Sequence, residues 1–406
     1  MLFLTMAASC LTTLVARPQS QSTSASPIPP ATHASRTEFL VRIDAIAPPT
    51  SAQAIPRDAS ARLVPCSGCA PRRANGPVEL RAADGHVVVG SAPPVSSVTL
   101  LGAWRIAPDL GRSAESSERM VATAAGGRLQ LTLTMLEEEY VARVLAAEAS
   151  NFKSDEALKA MAVAVRTYAM RFRGRHHAQG FDFCDATHCQ ALRLGGVGTR
   201  FLKAAQSTEG QLLWYAGAPA ATYYYLDCGG TTEAGGQDWP DHNTPYLVQH
   251  PDPYCVLHGR TPWTTSLTHE EIAQALDAQG IQAPTDWKTV TVYSHRQSGR
   301  VKLLKIAGET PLLISASKFR LAVNRAFGDR LRSDLYEISM QNGAFVFQGY
   351  GSGHGIGLCQ RGADVMGMSG KSYGEILAFY YPGTTLGTGP PPATSPRQIS
   401  EAIPQR

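Results

Sequence analysis

Apolar and polar residues alternate with a period of two through much of residues 37–135, as in Glu38-Phe-Leu-Val-Arg-Ile43, His86-Val-Val-Val89 and Leu129-Gln-Leu-Thr-Leu-Thr134. Successive side chains of a strand point to opposite faces, so this spacing predicts short strands with one buried face, gathered in a small β-rich N-terminal module. After Met135 the period lengthens. Val141, Val144, Leu145 and Glu148 fall at i, i+3, i+4 and i+7, the stripe of a helix whose polar side begins with Glu137-Glu-Glu139. A second helix is predicted from Ser154 as N-cap, with Asp155 and Glu156 in its first turn and Leu158, Met161, Ala162, Val165, Tyr168, Ala169 and Phe172 along one face. Residues 204–260 read as strands and turns. A helix is expected over 268–279, strands over 289–292 and 301–306, and a last helix opening on the capping box Ser372-Tyr-Gly-Glu375 and stopped by Pro382. Helices clustered at 136–173, with strands dominating the rest, predict an α+β fold of two lobes with a groove between them.

The 406 residues, 43% hydrophobic and 17% charged, suffice for two ordinary cores and exclude a disordered chain. No internal apolar run reaches the roughly 18 residues of a membrane helix, which excludes a multi-span membrane protein and leaves no transmembrane helix in the mature chain. A net charge of +4, with no block of Lys and Arg interleaved with aromatics, argues against nucleic acid as a partner. Residues 1–16 are apolar and small and are followed by Arg17 and Pro18, which reads as a signal peptide and hence as export. Residues 17–36 and 385–406 are rich in Ser, Thr, Pro and Ala and are expected to be a disordered linker and tail.

Candidate chemistry starts with Glu148, a carboxylate on the apolar stripe of a helix. Burial there would raise its pKa and make it a competent general acid, whereas a helical phase one position out would make it an ordinary surface residue. His177, Cys184, His188 and Cys189 gather four borderline-soft ligands within thirteen residues, a density suited to zinc; a thiol pair beside a solvated histidine is the plainer alternative. Cys66-Ser-Gly-Cys69 has no second pair nearby and points to a disulfide rather than a zinc ribbon. Cys228 and Cys255 lie in turn-rich sequence and are expected to be disulfide-linked to each other. In Gly349-Tyr-Gly-Ser-Gly-His354-Gly-Ile-Gly-Leu-Cys-Gln360-Arg-Gly362 the glycines recur at every second position, which is not the dinucleotide fingerprint. Such a run suits either two closely packed chain segments or a floor for an extended polymer, with His354 and Gln360 offering hydrogen bonds. Cys359 beside His354 has no positioned Asn or Asp, which disfavours a thiol hydrolase.

Four blocks, Ala146-Ala-Glu148-Ala, Glu156-Ala-Leu-Lys-Ala-Met-Ala-Val-Ala-Val-Arg166-Thr-Tyr168-Ala, Cys184-Asp-Ala-Thr-His188-Cys-Gln190 and Gly353-His354-Gly-Ile-Gly-Leu-Cys-Gln360-Arg-Gly-Ala, together resemble the SpoIID/LytB family, the stage II sporulation protein D group. The resemblance covers about 136–384, in the family's own order. It implies an exported lytic transglycosylase that cuts peptidoglycan glycan strands, preferring those stripped of stem peptides, or else an enhancer of a cell-wall amidase. It puts the catalytic glutamate at Glu148 and a structural zinc on His177, Cys184, His188 and Cys189. It further suggests Arg166 for the lactyl carboxylate of muramic acid, and Tyr168 and Gln190 for sugar hydroxyls. Where the family carries a His-Ser-x-Ser-Gly-Gly turn, this chain has Tyr225-Leu-Asp-Cys228-Gly-Gly230.

Overall fold

The computed structural model describes residues 37–237 and 244–390. The signal-peptide and linker readings, and the tail beyond residue 390, lie outside the described residues. The N-terminal alternation forms strands as predicted. Strand Glu38–Ile43 pairs antiparallel with Arg128–Leu136, which pairs in turn with Arg119–Ala125, and the sheet continues through Val98–Leu101, Arg62–Val64 and Arg72–Arg73. Phe39, Val41 and Ile43 face inward, as do Leu129, Leu131, Leu133 and Met135. On its free edge Glu38–Ile43 accepts a parallel partner from far downstream, Phe183–Cys184, making the sheet seven-stranded. A five-stranded sheet runs in the order His86–Val89, Val78–Ala83, Ser51–Pro56, Trp104–Pro108, Ala114–Ser116. Cys66 and Cys69 form the local disulfide.

The chain passes directly from strand Arg128–Leu136 into helix α1 (Glu137–Glu148). Phe39, Leu131, Tyr140 and Leu158 belong to one hydrophobic core, so the packing runs unbroken across residue 135. Helix α2 (Asp155–Phe172) begins at the expected cap, where Ser154 Oγ accepts the Ala157 N–H at 3.2 Å. Its residues are small or apolar on nearly every side and, Lys159 apart, buried from Ala157 to Ala169, so it is the central helix of this core. Each fully buried Leu or Val contributes about 1.5–3 kcal/mol relative to exposure.

Helix α3 (Thr199–Ser207) extends into the stretch read as strands and turns; only Ala204 and Ala205 of it are buried, too short a stripe to declare a period. Residues 263–347 form a second core around Trp263, Leu267, Ile272, Trp287, Phe319 and Phe347. It holds the expected helix, α4 (His269–Asp277), with a capping box at Thr268 and Glu271, and an unexpected one, α5 (Ala316–Phe327), capped by Ser315. Strands Pro262–Leu267, Ala344–Tyr350 and Tyr336–Gln341 form one of its sheets; Thr289–His295, Val301–Ala307 and Leu312–Ser315 form the other. The chain then returns to the first core with α6 (Gln360–Met368) and α7 (Tyr373–Tyr380), the latter on the predicted Ser372 and Glu375 box. Seven α-helices and several sheets among the described residues make the fold α+β, and none of these helices is long and apolar enough to cross a membrane. Residues 385–387, expected to belong to a disordered tail, instead form strand Thr385–Gly387, paired with Leu212–Trp214.

Candidate active site

Glu148 is the last residue of α1, half-buried, and lies where two hollows adjoin. One, of about 470 Å³, is lined by Glu148, Phe152, Trp263, Arg332 and Gln360 among others. The second, of about 690 Å³, is lined by Glu148 together with Tyr168, Gln190, Tyr224 and His354. Leu226, Asp329 and Ser352 border both, and Leu226 is 57% exposed, an apolar surface held up to solvent beside the carboxyl.

Burial raises the Glu148 pKa, opposed in part by two hydrogen bonds to the carboxyl, from the Ala191 backbone N–H (3.0 Å) and the Gln360 side chain. The segment carrying Ala191 is itself clamped. Arg143, buried on α1, donates to the carbonyls of Arg193, Leu194 and Gly195 at 3.0–3.2 Å and to Glu139. Sequence reasoning missed Arg143: five residues before Glu148, it falls opposite the apolar stripe, on the side shared with its partner Glu139, and only the covering 193–195 segment buries it.

Tyr168 lines the second hollow with its hydroxyl accepting from Arg175 (2.8 Å), a further lining residue the sequence reading did not single out. Gln190 is only 2% exposed and bridges two phenols: Tyr140 O–H donates to its Oε1 (3.0 Å), and its Nε2 donates to Tyr224 Oη (2.9 Å). The Ile356 N–H donates to His354 Nδ1 (3.1 Å), so the ring proton sits on Nε2 and points at the Tyr224 carbonyl (3.1 Å). Gln360 lines the first hollow, and its side chain is engaged with Glu148. Arg166 is elsewhere. Its guanidinium is 0% exposed, paired with Glu137 and Glu138 and bonded to the Ala205 and Gln211 carbonyls, so it fastens α2 to α1 and α3 and lines neither hollow. The sequence expectation that it meets a substrate carboxylate is corrected accordingly.

The alternate glycines serve close packing. Gly351 and Gly353 have φ of +76° and +104°, and a Cβ on them would stand 2.8 Å from the Asp227 carbonyl oxygen and 2.7 Å from Tyr225 Cβ. The glycine run thus lies directly against residues 225–229.

Beside the second hollow stand His176, Cys184, His188 and Cys189, whose ligand atoms lie within 4.8 Å of one another. The two Sγ atoms are 3.3 Å apart, His176 Nε2 is 3.3 Å from Cys189 Sγ, and His188 Nδ1 is 3.8 Å from each sulfur. The geometry therefore puts His176 in the place expected for His177, which instead opens the short 3-10 turn His177–Gln179. Two thiols and two imidazoles are a donor set suited to a tetrahedral soft ion. The hydrogen bond shared by the two thiols holds Cys184 below and Cys189 above the ordinary thiol range. Cys228 and Cys255, expected to be disulfide-linked, are free thiols, and so is Cys359.

An α+β protein with a half-buried carboxyl at the junction of two hollows is the class this geometry defines. Residues 125–215 match the family model for SpoIID, the stage II sporulation protein, and residues 260–357, which include the whole second core, match a domain of unknown function, DUF8618. An uncharacterized protein of Brachyspira hyodysenteriae is 32% identical over 251 residues, 61% of this chain and 66% of that one. The amidase enhancer of Bacillus subtilis is 29% identical over 57% of this chain and 38% of its own length, and stage II sporulation protein D of the same organism is 27% identical over 61% and 74%. The chain thus spans just under two thirds of the first of these relatives and well under half of the second. Residues 125–215 thus carry a SpoIID-family domain, and the alignments to the amidase enhancer and to stage II sporulation protein D support the SpoIID/LytB resemblance.

Proposed function

We propose that this chain is an exported lytic transglycosylase that cuts peptidoglycan glycan strands, chiefly those stripped of stem peptides, with Glu148 as its single acid and base. The observation that carries the reading is Glu148 itself, a carboxyl raised by burial yet opening onto two hollows. Protonated, it donates to the glycosidic oxygen as the C1–O bond breaks. Ionised, it takes the proton from the C6 hydroxyl of the same muramyl residue, whose oxygen bonds to C1 and closes a 1,6-anhydro ring. The proton returns to Glu148 and no water is consumed. Ala191 N–H and Gln360 hold the carboxyl in place through both halves. In place of Arg166, the exposed Arg332 of the first hollow and Arg175 of the second are the cations for a lactyl carboxylate. Tyr168, Gln190 and His354 shape the second hollow as a sugar subsite, and the two hollows together form one groove. Zinc on His176, Cys184, His188 and Cys189 would have four protein ligands and serve structure alone.

Most glycoside hydrolases need a second carboxyl at fixed separation. Of the other carboxylates lining the first hollow, Asp227 is paired with Arg361 (2.9 Å) and Asp364 accepts the Lys153 and Ser154 N–H groups, whereas Asp329 is exposed. Asp329→Asn is the control: cleavage of denuded strands should survive it and disappear in Glu148→Gln, and loss in both would favour a hydrolase. The amidase enhancer among the relatives supports a second reading, a glycan-binding scaffold that stimulates a cell-wall amidase. In that case Glu148→Gln would stimulate an amidase as well as the wild type does, and neither would cut glycan.

A further inference from the structure

We propose that Cys228, Asp252, Cys255 and Cys359 form a second metal site, distinct from the His176 cluster, that takes a zinc-class soft divalent ion in a structural role. The ligands come from three separate stretches: the turn after strand Tyr224–Tyr225, the 252–255 turn and the residue capping α6. Their ligand atoms lie within 4.8 Å of one another and all four residues are buried. Zinc–sulfur bonds of about 2.3 Å set tetrahedral sulfurs about 3.8 Å apart, so binding asks for an inward shift of about an ångström or less.

The surroundings suit a bound cation. Asp252 is 0% exposed, and no salt bridge reaches it among the described residues; Tyr380 O–H (2.8 Å), the Cys255 N–H (3.0 Å) and the Cys228 thiol (3.4 Å) donate to it. A carboxylate buried with no countercharge is costly, and a divalent ion supplies that charge. The sulfurs accept backbone N–H groups as thiolate ligands do: Cys228 N–H and Gly362 N–H point at Cys359 Sγ (3.3 and 3.5 Å), and Gly230 N–H points at Cys228 Sγ (3.3 Å). Cys359 sits at the positive end of α6. A disulfide would join two sulfurs and leave an odd thiol and an unbalanced carboxylate, whereas one metal ion uses all four groups.

Binding is balanced as one divalent cation entering, three S–H protons leaving to solvent, and a carboxylate joining as the fourth ligand. With no position left for water the ion would not activate one. Its consequence is mechanical: Cys359 immediately precedes Gln360, whose side chain bonds Glu148, so the ion would pin the carboxyl's support from behind.

The test is metal content of the purified full chain grown in zinc, measured by plasma mass spectrometry, with peptide mapping of alkylated thiols. Wild type should hold about two zinc ions, and Cys359→Ser and Cys184→Ser about one each. If the His176 cluster holds none, wild type should hold one that Cys359→Ser removes and Cys184→Ser leaves, which separates the two sites. X-ray absorption on zinc-loaded Cys184→Ser, where the proposed site is intact, should show three sulfurs to one light donor; on wild type with both sites filled, sulfur should exceed nitrogen and oxygen together, at about five to three. Zinc undiminished in Cys359→Ser, equal sulfur and nitrogen around the wild-type ion, or a peptide joining Cys228 to Cys255 by a disulfide would overturn the proposal.

Discussion

Glu148 and the residues facing it across the first hollow come from two regions that differ in physical character. The SpoIID-matching region presents a carboxyl half-buried at a helix end, fixed by a backbone N–H and by Gln360, with Arg143 clamping the segment behind it. The DUF8618-matching region presents Asp329 and Arg332, both exposed, beside Trp263. A proton donor working near neutral pH gains from removal of water, which raises its pKa. A cation meeting a long charged polymer gains from exposure and reach. On the proposed function, one region would carry the chemistry and the other the grip on substrate, and the two should fail differently when altered.

The largest failure should follow Glu148→Gln. The amide keeps shape and hydrogen bonds but holds no transferable proton, so turnover should fall at least about 10²–10⁴-fold while strand binding persists. Gln360→Ala should come next, at about tenfold in kcat with KM nearly constant, since one hydrogen bond to a charged group is worth about 1.5 kcal/mol or more; an effect confined to KM would return Gln360 to direct sugar binding. Arg332→Ala should do the reverse, raising KM a few-fold on denuded strands, less so at high salt, with kcat unchanged. His176→Ala should lower bound zinc and the thermal midpoint, whereas His177→Ala should change neither; equal effects would remove the distinction between the neighbours.

The smallest effect is a pH dependence of stability. Burial raises the folded-state pKa of Glu148 above its unfolded value, so its ionisation opposes folding. Stability present below the unfolded pKa is lost as pH rises through the folded one. Thermal midpoints of Glu148→Gln should gain on wild type across that window, and a constant difference would mean that burial does not shift the group.

The sequence pattern disclosed what depends on short-range periodicity. Helix α1, the Ser154 cap and the stripe bearing Glu148 follow from 3.6-residue spacing, and the blocks matching the family brought Tyr168, Gln190, His354 and Gln360 to the hollows. Contacts that close through space were hidden. Arg166 looked like a substrate ligand because its partners, Glu137 and Glu138, lie 28 or more residues earlier and had been read as a solvated helix face. His176 displaced His177 because a 3-10 turn closed by left-handed Gly180 decides which imidazole faces the thiols, and adjacent residues have the same spacing. Cys359 meets Cys228 across 131 residues, a distance over which local pattern says nothing about pairing. Helix α5 was legible in retrospect, with Ser315 as cap and Ala316, Phe319 and Val323 on one face.

The most direct test of a single carboxyl serving as both acid and base is to let the wild type cut peptide-free glycan strands in water enriched in ¹⁸O and to weigh the products. Intramolecular closure by the C6 hydroxyl predicts ends of 1,6-anhydro-muramic acid, one water lighter than hydrolysis leaves and free of ¹⁸O at every cut. Reducing ends carrying one ¹⁸O per cleavage would contradict it, and would turn attention to Asp329 across the hollow as the base that activates water.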